Sequence, residues 1–173
     1  MLIKAGVDKK ITLEYIAGFV DGEGTFTILN DGHGTFRPRF SIVNTDLQVL
    51  NNIKKFFHIN TKIYTKDLSK QGWQTIYRLV VGSIDDCKMI ASALEPHLRL
   101  KKEHAQIMMQ FPRARVINIG GRILPDFSYQ TLTRKLHQRI MELNKRGAEN
   151  KELSKELKLE PDMQMRLWKG GEK

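Results

Sequence analysis

The order of hydrophobic periodicities over residues 12–111 constrains the fold more than any other feature of the sequence. Apolar residues at helical spacing are followed by two β-branched and aromatic segments joined by a short turn, and the same order then occurs again. Two strands joined by a short turn form a hairpin, so the sequence predicts an α+β fold with one antiparallel sheet of two hairpins and helices on one face. The predicted elements are helix 12–20, strands 25–29 and 35–43, helix 47–57, strands 62–67 and 73–81, a helix from 83 or 85 to 94, and helix 101–111.

The second of these strands has the clearest pattern. Arg37 and Arg39 alternate with Phe36 and Phe40, which predicts a half-buried strand with a basic outer face. Pro38 lies between them and has no N–H to give to a sheet ladder, so a fully paired central strand is not expected here.

The length of 173 residues fits one domain. We therefore predict a single domain over residues 1–173, with a core at about 12–112 and further helices at about 127–160. In the C-terminal part we predict a loop over 113–130, where prolines and a glycine pair occur, a helix at 131–146 ended by Gly147, a helix at 150–159, and a loose tail at 161–173.

The chain has a net charge of +10 and an isoelectric point near 9.8, which favours a polyanionic partner. Eight basic and two acidic residues lie between Thr35 and Val80, so +6 of this charge falls on or beside the predicted sheet. The single cysteine, Cys87, excludes a disulfide framework. No apolar run reaches the ~18 residues of a membrane helix, so no membrane partner is expected.

Chemistry is concentrated in segment 16–24, which reads Ile-Ala-Gly-Phe-Val-Asp-Gly-Glu-Gly. Its small residues Ala17 and Gly18 allow another helix to approach closely, and a second copy of the chain is the expected neighbour. Glu23 comes at the C-terminal end of the helix, where the helix dipole disfavours a carboxylate. A divalent cation would compensate, because hard cations bind carboxylate and carbonyl oxygens. The alternative interpretation is a helix that merely ends in a polar glycine turn.

This segment closely resembles the signature of the LAGLIDADG homing endonucleases, with seven of its nine positions identical or conservative. Residues 96–106 resemble the family's entry into the helix after the sheet, and residues 40–46 resemble the end of its second strand. The resemblance extends over about 13–111. It implies the family's αββαββα fold, a four-stranded DNA-binding sheet and site-specific cleavage of double-stranded DNA.

The resemblance also implies a catalytic group at the end of the first helix. Glu23, helped by the Gly22 carbonyl, would hold Mg²⁺, which would activate a water molecule and stabilise charge on the scissile phosphate. Lys101 matches the family's basic residue, which holds the phosphate or positions the water. Asn44 matches a polar position that orders solvent near the metal, with a turn-forming role as its alternative. Gln48 would add a further polar contact.

The resemblance implies that a chain with one copy of the motif works as a homodimer on a long pseudo-palindromic DNA site. The two motif helices would cross at the two-fold axis. The expected interface residues are Ile16, Ala17, Gly18, Phe19 and Asp21, and the resemblance gives Asp21 a structural cap as its alternative role. The residues expected to read DNA from the outer face of the sheet are Thr27, Leu29, Thr35, Arg37, Arg39, Ser41, Tyr64, Lys66, Gln74, Ile76 and Arg78.

Two alternatives use the same fold without cleavage, namely an RNA-binding intron maturase and a DNA-binding regulator. The presence of both Glu23 and Lys101 favours cleavage. No splicing-type Cys or Ser start and no transit peptide are visible, so we expect an intron-encoded enzyme made where it acts, in an organelle or a prokaryotic cytoplasm.

Overall fold

The computed structural model of the chain describes residues 11–32, 35–113, 116–119, 122–125 and 127–156. A helix–strand–strand unit occurs twice, and two helices, a small hairpin and a long helix follow it. The elements are α1 (Leu13–Glu23), β1 (Gly24–Asn30), β2 (Phe36–Asn44), α2 (Leu47–Phe56), β3 (Ile63–Lys66), β4 (Ile76–Val81), α3 (Ile84–Leu94), α4 (Lys102–Met109), β5 (Val116–Ile119), β6 (Arg122–Pro125) and α5 (Phe127–Glu156).

Three helices begin at side chains that accept hydrogen bonds from the first helical turn. Thr12 caps α1 by accepting from the Tyr15 N–H, and Asp46 caps α2 by accepting from two N–H groups. Ser83 caps α3, which settles the choice between residues 83 and 85 in favour of serine. Capping satisfies N–H groups that have no partner within the helix. These side chains therefore fix where the helices start, as the sequence predicts.

The predicted antiparallel sheet of two hairpins is confirmed, with strand order β1-β2-β4-β3. The two hairpins meet where β2 pairs with β4, from Phe40↔Val81 to Asn44↔Tyr77. Pro38 lies in β2 beyond this stretch and pairs only with Ile28 of β1. The missing N–H of proline is therefore accommodated where an inner strand has a partner on one side only.

The core lies between one face of the sheet and the helices. Phe26, Phe40 and Leu79 project from the sheet and are at most 1% exposed, and they belong to one cluster with residues of α1, α2, α3 and α4. Burial of such a cluster is the main term that stabilises a fold of this size. The helices therefore cover one face of the sheet and leave the other open, as predicted.

The C-terminal part differs from the prediction in two ways. Residues 116–119 and 122–125 form an antiparallel hairpin where a loop was predicted, because a glycine pair between two short β-branched segments is also a hairpin signal. The two predicted helices are one helix, α5, which continues through Gly147. A glycine inside a helix costs about 1 kcal/mol relative to alanine, which good helix formers on both sides offset. The predicted tail at 161–173 lies outside the described residues.

Helix α5 packs on the β1–β2 hairpin and on α4. Leu136 and Ile140 of α5 join Ile28 and Phe36 in a second buried cluster. The His137 ring nitrogen Nδ1 lies 2.7 Å from the Ile28 carbonyl oxygen. The hairpin is thus held from the same side as the rest of the sheet. No helix in the described part of the chain is both long and apolar enough to cross a membrane.

Candidate functional site

Helix α1 passes directly into β1, and this junction places Glu23. Glu23 is the last helical residue and is exposed, and the next residue, Gly24, is both the C-cap of α1 and the first residue of β1. The Gly24 N–H donates to the Val20 carbonyl oxygen. A Cβ atom on Gly24 would lie 2.8 Å from that oxygen and 2.9 Å from the Val20 Cα. Only glycine therefore fits between the helix end and the strand.

We expect Gly24→Ala to lower the free energy of unfolding by about 1–3 kcal/mol, the usual cost of forcing an extra group into a filled site. The clashing atoms belong mainly to backbone, so they cannot move without displacing the end of α1. Urea unfolding would measure the loss. Gly82→Ala is the matched control, because a Cβ there meets nothing within 4 Å. An equal loss in both variants would contradict this account of the junction.

The Asp21 carboxylate is bound by three consecutive backbone N–H groups from the segment that leads into α4. Oδ2 accepts from the Arg99 N–H at 2.8 Å, and Oδ1 accepts from the Leu100 and Lys101 N–H groups at 3.2 and 2.9 Å. These bonds join residues about 80 positions apart. Asp21 therefore satisfies free N–H groups at the start of α4, where a negative charge is favourable.

The side chain of Lys101 contacts the C-terminal end of α1. Its Nζ donates to the Val20 carbonyl oxygen at 2.9 Å and to the Asp21 carbonyl oxygen at 2.6 Å. Burial lowers the pKa of the Lys101 ammonium below its ordinary value, and the Asp21 and Glu23 carboxylates oppose that shift. The sequence analysis expected a divalent cation to compensate the end of this helix. In the chain itself, the Lys101 ammonium already supplies positive charge to two of its last carbonyl groups.

The two acids at the end of α1 differ in what they can still bind. Both oxygens of Asp21 are occupied by N–H groups, whereas Glu23 is exposed and accepts no hydrogen bond from any residue that the structure describes. Gly22 beside it is also exposed. Within the described residues, no three His, Cys, Asp or Glu side chains come together as a metal site. Glu23 thus fits as one ligand of an open cation site that needs further oxygen donors.

Asn44 is the last residue of β2, and Gln48 lies in the first turn of α2. The register Gly24↔Ile42 puts Asn44, at the end of β2, at the same end of the sheet as Glu23. The Asn44 side-chain oxygen accepts from the Asp46 N–H at 2.9 Å, which is its alternative, turn-forming role. Gln48 instead lines a cavity of about 540 Å³ whose lining includes neither Glu23 nor Lys101. The polar contact proposed for Gln48 stays a prediction.

The open face of the sheet carries most of the residues that we expect to read DNA. Arg78 of β4 stands at its centre, opposite Val43 on β2 and Tyr64 on β3. An open depression of about 550 Å³ is lined by these three side chains together with Arg39, Lys66 and others. Nine of the eleven predicted residues lie on strands with their side chains on this face: Thr27, Leu29, Arg37, Arg39, Ser41, Tyr64, Lys66, Ile76 and Arg78.

The other two predicted residues lie outside the strands, which corrects their placement. Thr35 is in the β1–β2 turn, where its N–H donates to the Asp31 carboxylate at 3.2 Å. Gln74 precedes β4, which begins only at Ile76. The pairing of β4 with β3 ends at Ile76 because β3 has only four residues and ends at Lys66. Gln74 lines the same cavity as Gln48.

Three further residues have their side chains on the open face and were not among the predicted DNA-reading residues: Thr25, Val43 and Val80. Thr25 pairs with Ser41, Ser41 pairs with Val80, and Val43 pairs with Arg78. Strict alternation along each strand, applied to apolar as well as polar residues, would have identified them.

The predicted interface residues on α1 do not share one face. Ile16 and Ala17 are 0% exposed within the core of their own chain, so their assignment to an interface is wrong. The Asp21 carboxylate is engaged by residues 99–101 of its own chain. Gly18 is exposed and Phe19 is half-buried, and a Cβ on Gly18 would meet nothing within 4 Å.

Comparison with known proteins gives the family. The model of the LAGLIDADG endonuclease family matches residues 16–109, more than half of the chain. The chain belongs to the LAGLIDADG endonuclease family, as the motif predicts. The match begins within α1 and extends through both hairpins to the end of α4.

Solved structures agree with the fold. The homing endonuclease I-CvuI, in complex with a DNA target in the presence of Mg, is 19% identical, with 76% of this chain and 80% of that chain covered and a TM-score of 0.56. The homing endonuclease I-TnaI is 22% identical, with 78% and 86% covered and a TM-score of 0.51. A search of curated proteins finds no match.

Proposed function

We propose that the chain is a site-specific, metal-dependent endonuclease that cuts double-stranded DNA as a homodimer. The observation that carries the proposal is the exposed Glu23 carboxylate at the end of α1, beside the Lys101 ammonium, within the segment that the family model matches. The similar enzyme I-CvuI was solved on DNA in the presence of Mg and of Ca. No observation in the described residues favours RNA, so the maturase alternative is not carried further.

The open face of the sheet is the proposed DNA-binding surface. Arginine side chains form paired hydrogen bonds to guanine, and the interspersed threonine, serine and apolar residues can contact other base edges and thymine methyl groups. Strand β1 has seven residues, which at ~3.3 Å each extend over about 23 Å, or roughly 7 base pairs. Two subunits related by a two-fold axis would double this length and make the site pseudo-palindromic.

Glu23 is the proposed protein ligand of Mg²⁺, with the Gly22 carbonyl beside it. The bound metal would lower the pKa of a water molecule and stabilise charge on the scissile phosphate. Since Glu23 is one carboxylate, the other ligands must be backbone carbonyls, water, DNA phosphates or groups of a second subunit. Lys101 has three ammonium protons and uses two on carbonyl groups, so one remains for a phosphate oxygen.

A cleavage test on selected DNA examines this proposal. Duplexes bound by the protein are first selected from a randomised pool without divalent metal, and the selected DNA is then incubated with Mg²⁺, Ca²⁺ or EDTA. We expect cutting of both strands with Mg²⁺ only, within sequences that have two-fold symmetry. Tight, sequence-specific binding with no cutting in the presence of Mg²⁺ would contradict an endonuclease and support a DNA-binding regulator.

Arg78 should determine specificity at one base of each half-site. Arg78→Ala is expected to weaken binding of the preferred DNA by about 1–3 kcal/mol and to reduce discrimination at that base. Dissociation constants at one salt concentration, for the preferred DNA and for DNA altered at each position, would measure both effects. Arg113→Ala is the control, because this exposed arginine pairs with Asp85 rather than with the sheet. Equal weakening in the two variants would show that Arg78 contributes only general charge.

A further inference from the structure

We propose that Asp21 is a positioning residue that holds the Lys101 ammonium at the end of α1, beside Glu23. Only the expected effect on cleavage rests on the proposed function. The hydrogen bonds between Asp21 and Lys101 are a property of the free protein. It assigns to Asp21 a role different from both metal binding and subunit contact.

Asp21 contacts Lys101 at both ends of the lysine. The Lys101 N–H donates to Asp21 Oδ1 at 2.9 Å, and the Lys101 Nζ donates to the Asp21 carbonyl oxygen at 2.6 Å. The side chain of Lys101 thus turns back onto the residue that fixes its backbone. A flexible four-carbon side chain has many rotamers, and these bonds restrict it to conformations near the end of α1.

Asp21 and Lys101 each place a charged group at the end of the other residue's helix. Asp21 lies in the last turn of α1, where a carboxylate is unfavourable, but it faces the start of α4, where it is favourable. Lys101 is the N-cap of α4 with no side-chain cap of its own, but its ammonium faces the carbonyl groups at the end of α1. Each charge is stabilised by the helix of the other residue, so removal of one leaves the other disfavoured.

The consequence for chemistry follows from burial. Lys101 is partly buried, and burial disfavours its charged form, whereas the nearby carboxylates favour it. Loss of the Asp21 charge would therefore remove the bonds that fix the backbone of Lys101 and one of the two carboxylates that favour its charged form. Because small misplacements of catalytic groups lower rates strongly, Asp21 should matter for cleavage although its carboxylate is engaged by the backbone of residues 99–101.

A double-mutant cycle of Asp21→Asn and Lys101→Met tests whether Asp21 positions Lys101. With the selected DNA, Asp21→Asn should lower the single-turnover cleavage rate about 10–100-fold, with an unchanged dissociation constant for DNA and an unchanged sedimentation coefficient. The double variant should be no slower than Lys101→Met alone, because both changes remove one function. Asp46→Asn is the control, since Asp46 also accepts two backbone N–H bonds at a helix start and should lower stability without the rate effect.

Readouts without DNA keep the proposal independent of nuclease activity. In Asp21→Asn, amide hydrogen exchange at Arg99, Leu100 and Lys101 should be faster than in wild type, and Lys101 side-chain NMR signals should show averaged rotamers. Additive rate losses in the cycle, or protected amides and an ordered Lys101 in Asp21→Asn, would overturn the proposal. If the wild type cuts no DNA, the proposed function fails, and the NMR results still decide whether Asp21 holds Lys101.

Discussion

Replacement of Glu23 by glutamine should abolish metal-dependent cleavage and leave the fold and DNA binding intact. Glu23 is exposed and outside the core, so the amide can replace the carboxylate without a packing change. The amide is uncharged and a much poorer ligand for Mg²⁺. If the metal supplies about 4 kcal/mol of transition-state stabilisation, the rate should fall about 10³-fold. Single-turnover cleavage at saturating protein would measure it.

Glu14→Gln is the matched control, because it makes the same change on an exposed residue in the first turn of the same helix. The Glu14 carboxylate complements the start of α1, so its loss should lower stability slightly and leave the cleavage rate unchanged. Calorimetric titration of the protein–DNA complex with Ca²⁺ should show weaker binding in Glu23→Gln only. Cleavage at the wild-type rate by Glu23→Gln would show that Glu23 is not a ligand of the metal.

The sheet and the helix starts could be predicted because their signals are local. The alternation of Arg37 and Arg39 with Phe36 and Phe40 gives the faces of β2 directly, and the structure confirms it. Thr12 and Asp46 determine the starts of α1 and α2 through bonds to residues two or three positions away. Period, cap and turn each depend on a few neighbouring residues, so they can be read along the chain.

The contacts of the site could not be predicted in this way. The bond between Asp21 and the Lys101 N–H joins residues 80 positions apart, and nothing in the sequence near either residue indicates it. Ile16 and Ala17 illustrate the same limit, because small and apolar residues on a helix fit an interface and a core equally well. Which face of α1 is buried depends on where the sheet lies, and only the structure provides that.

The exposed face of α1 yields the second large prediction. Gly18 lies in the middle of α1 and Gly22 lies one turn later on the same side, and a Cβ on either would meet no atom of the described residues within 4 Å. A glycine inside a helix costs about 1 kcal/mol relative to alanine, and no close contact among the described residues compensates for it. Close contact with another helix would explain both residues, and in a two-fold dimer that helix is α1 of the partner.

Gly18→Leu should therefore have opposite effects on the protomer and on the dimer. Leucine favours a helix over glycine, so the isolated protomer should become slightly more stable to urea. At a helix crossing, the added side chain would push the two helices apart. With each subunit adding an overpacking cost of about 1–3 kcal/mol, the dissociation constant of the dimer should rise by about 30-fold or more. Sedimentation equilibrium over a range of concentrations would measure it.

Ser92→Leu is the control for an added exposed leucine, because Ser92 is an exposed residue of α3. It should leave the dimer unchanged. In Gly18→Leu, cutting of both strands should fall with the fraction of dimer, since the proposed reaction needs one Glu23 for each strand. A dimer of unchanged affinity in Gly18→Leu would show that subunits meet elsewhere than at α1. Unchanged cutting of both strands by a fully monomeric variant would show that one chain suffices.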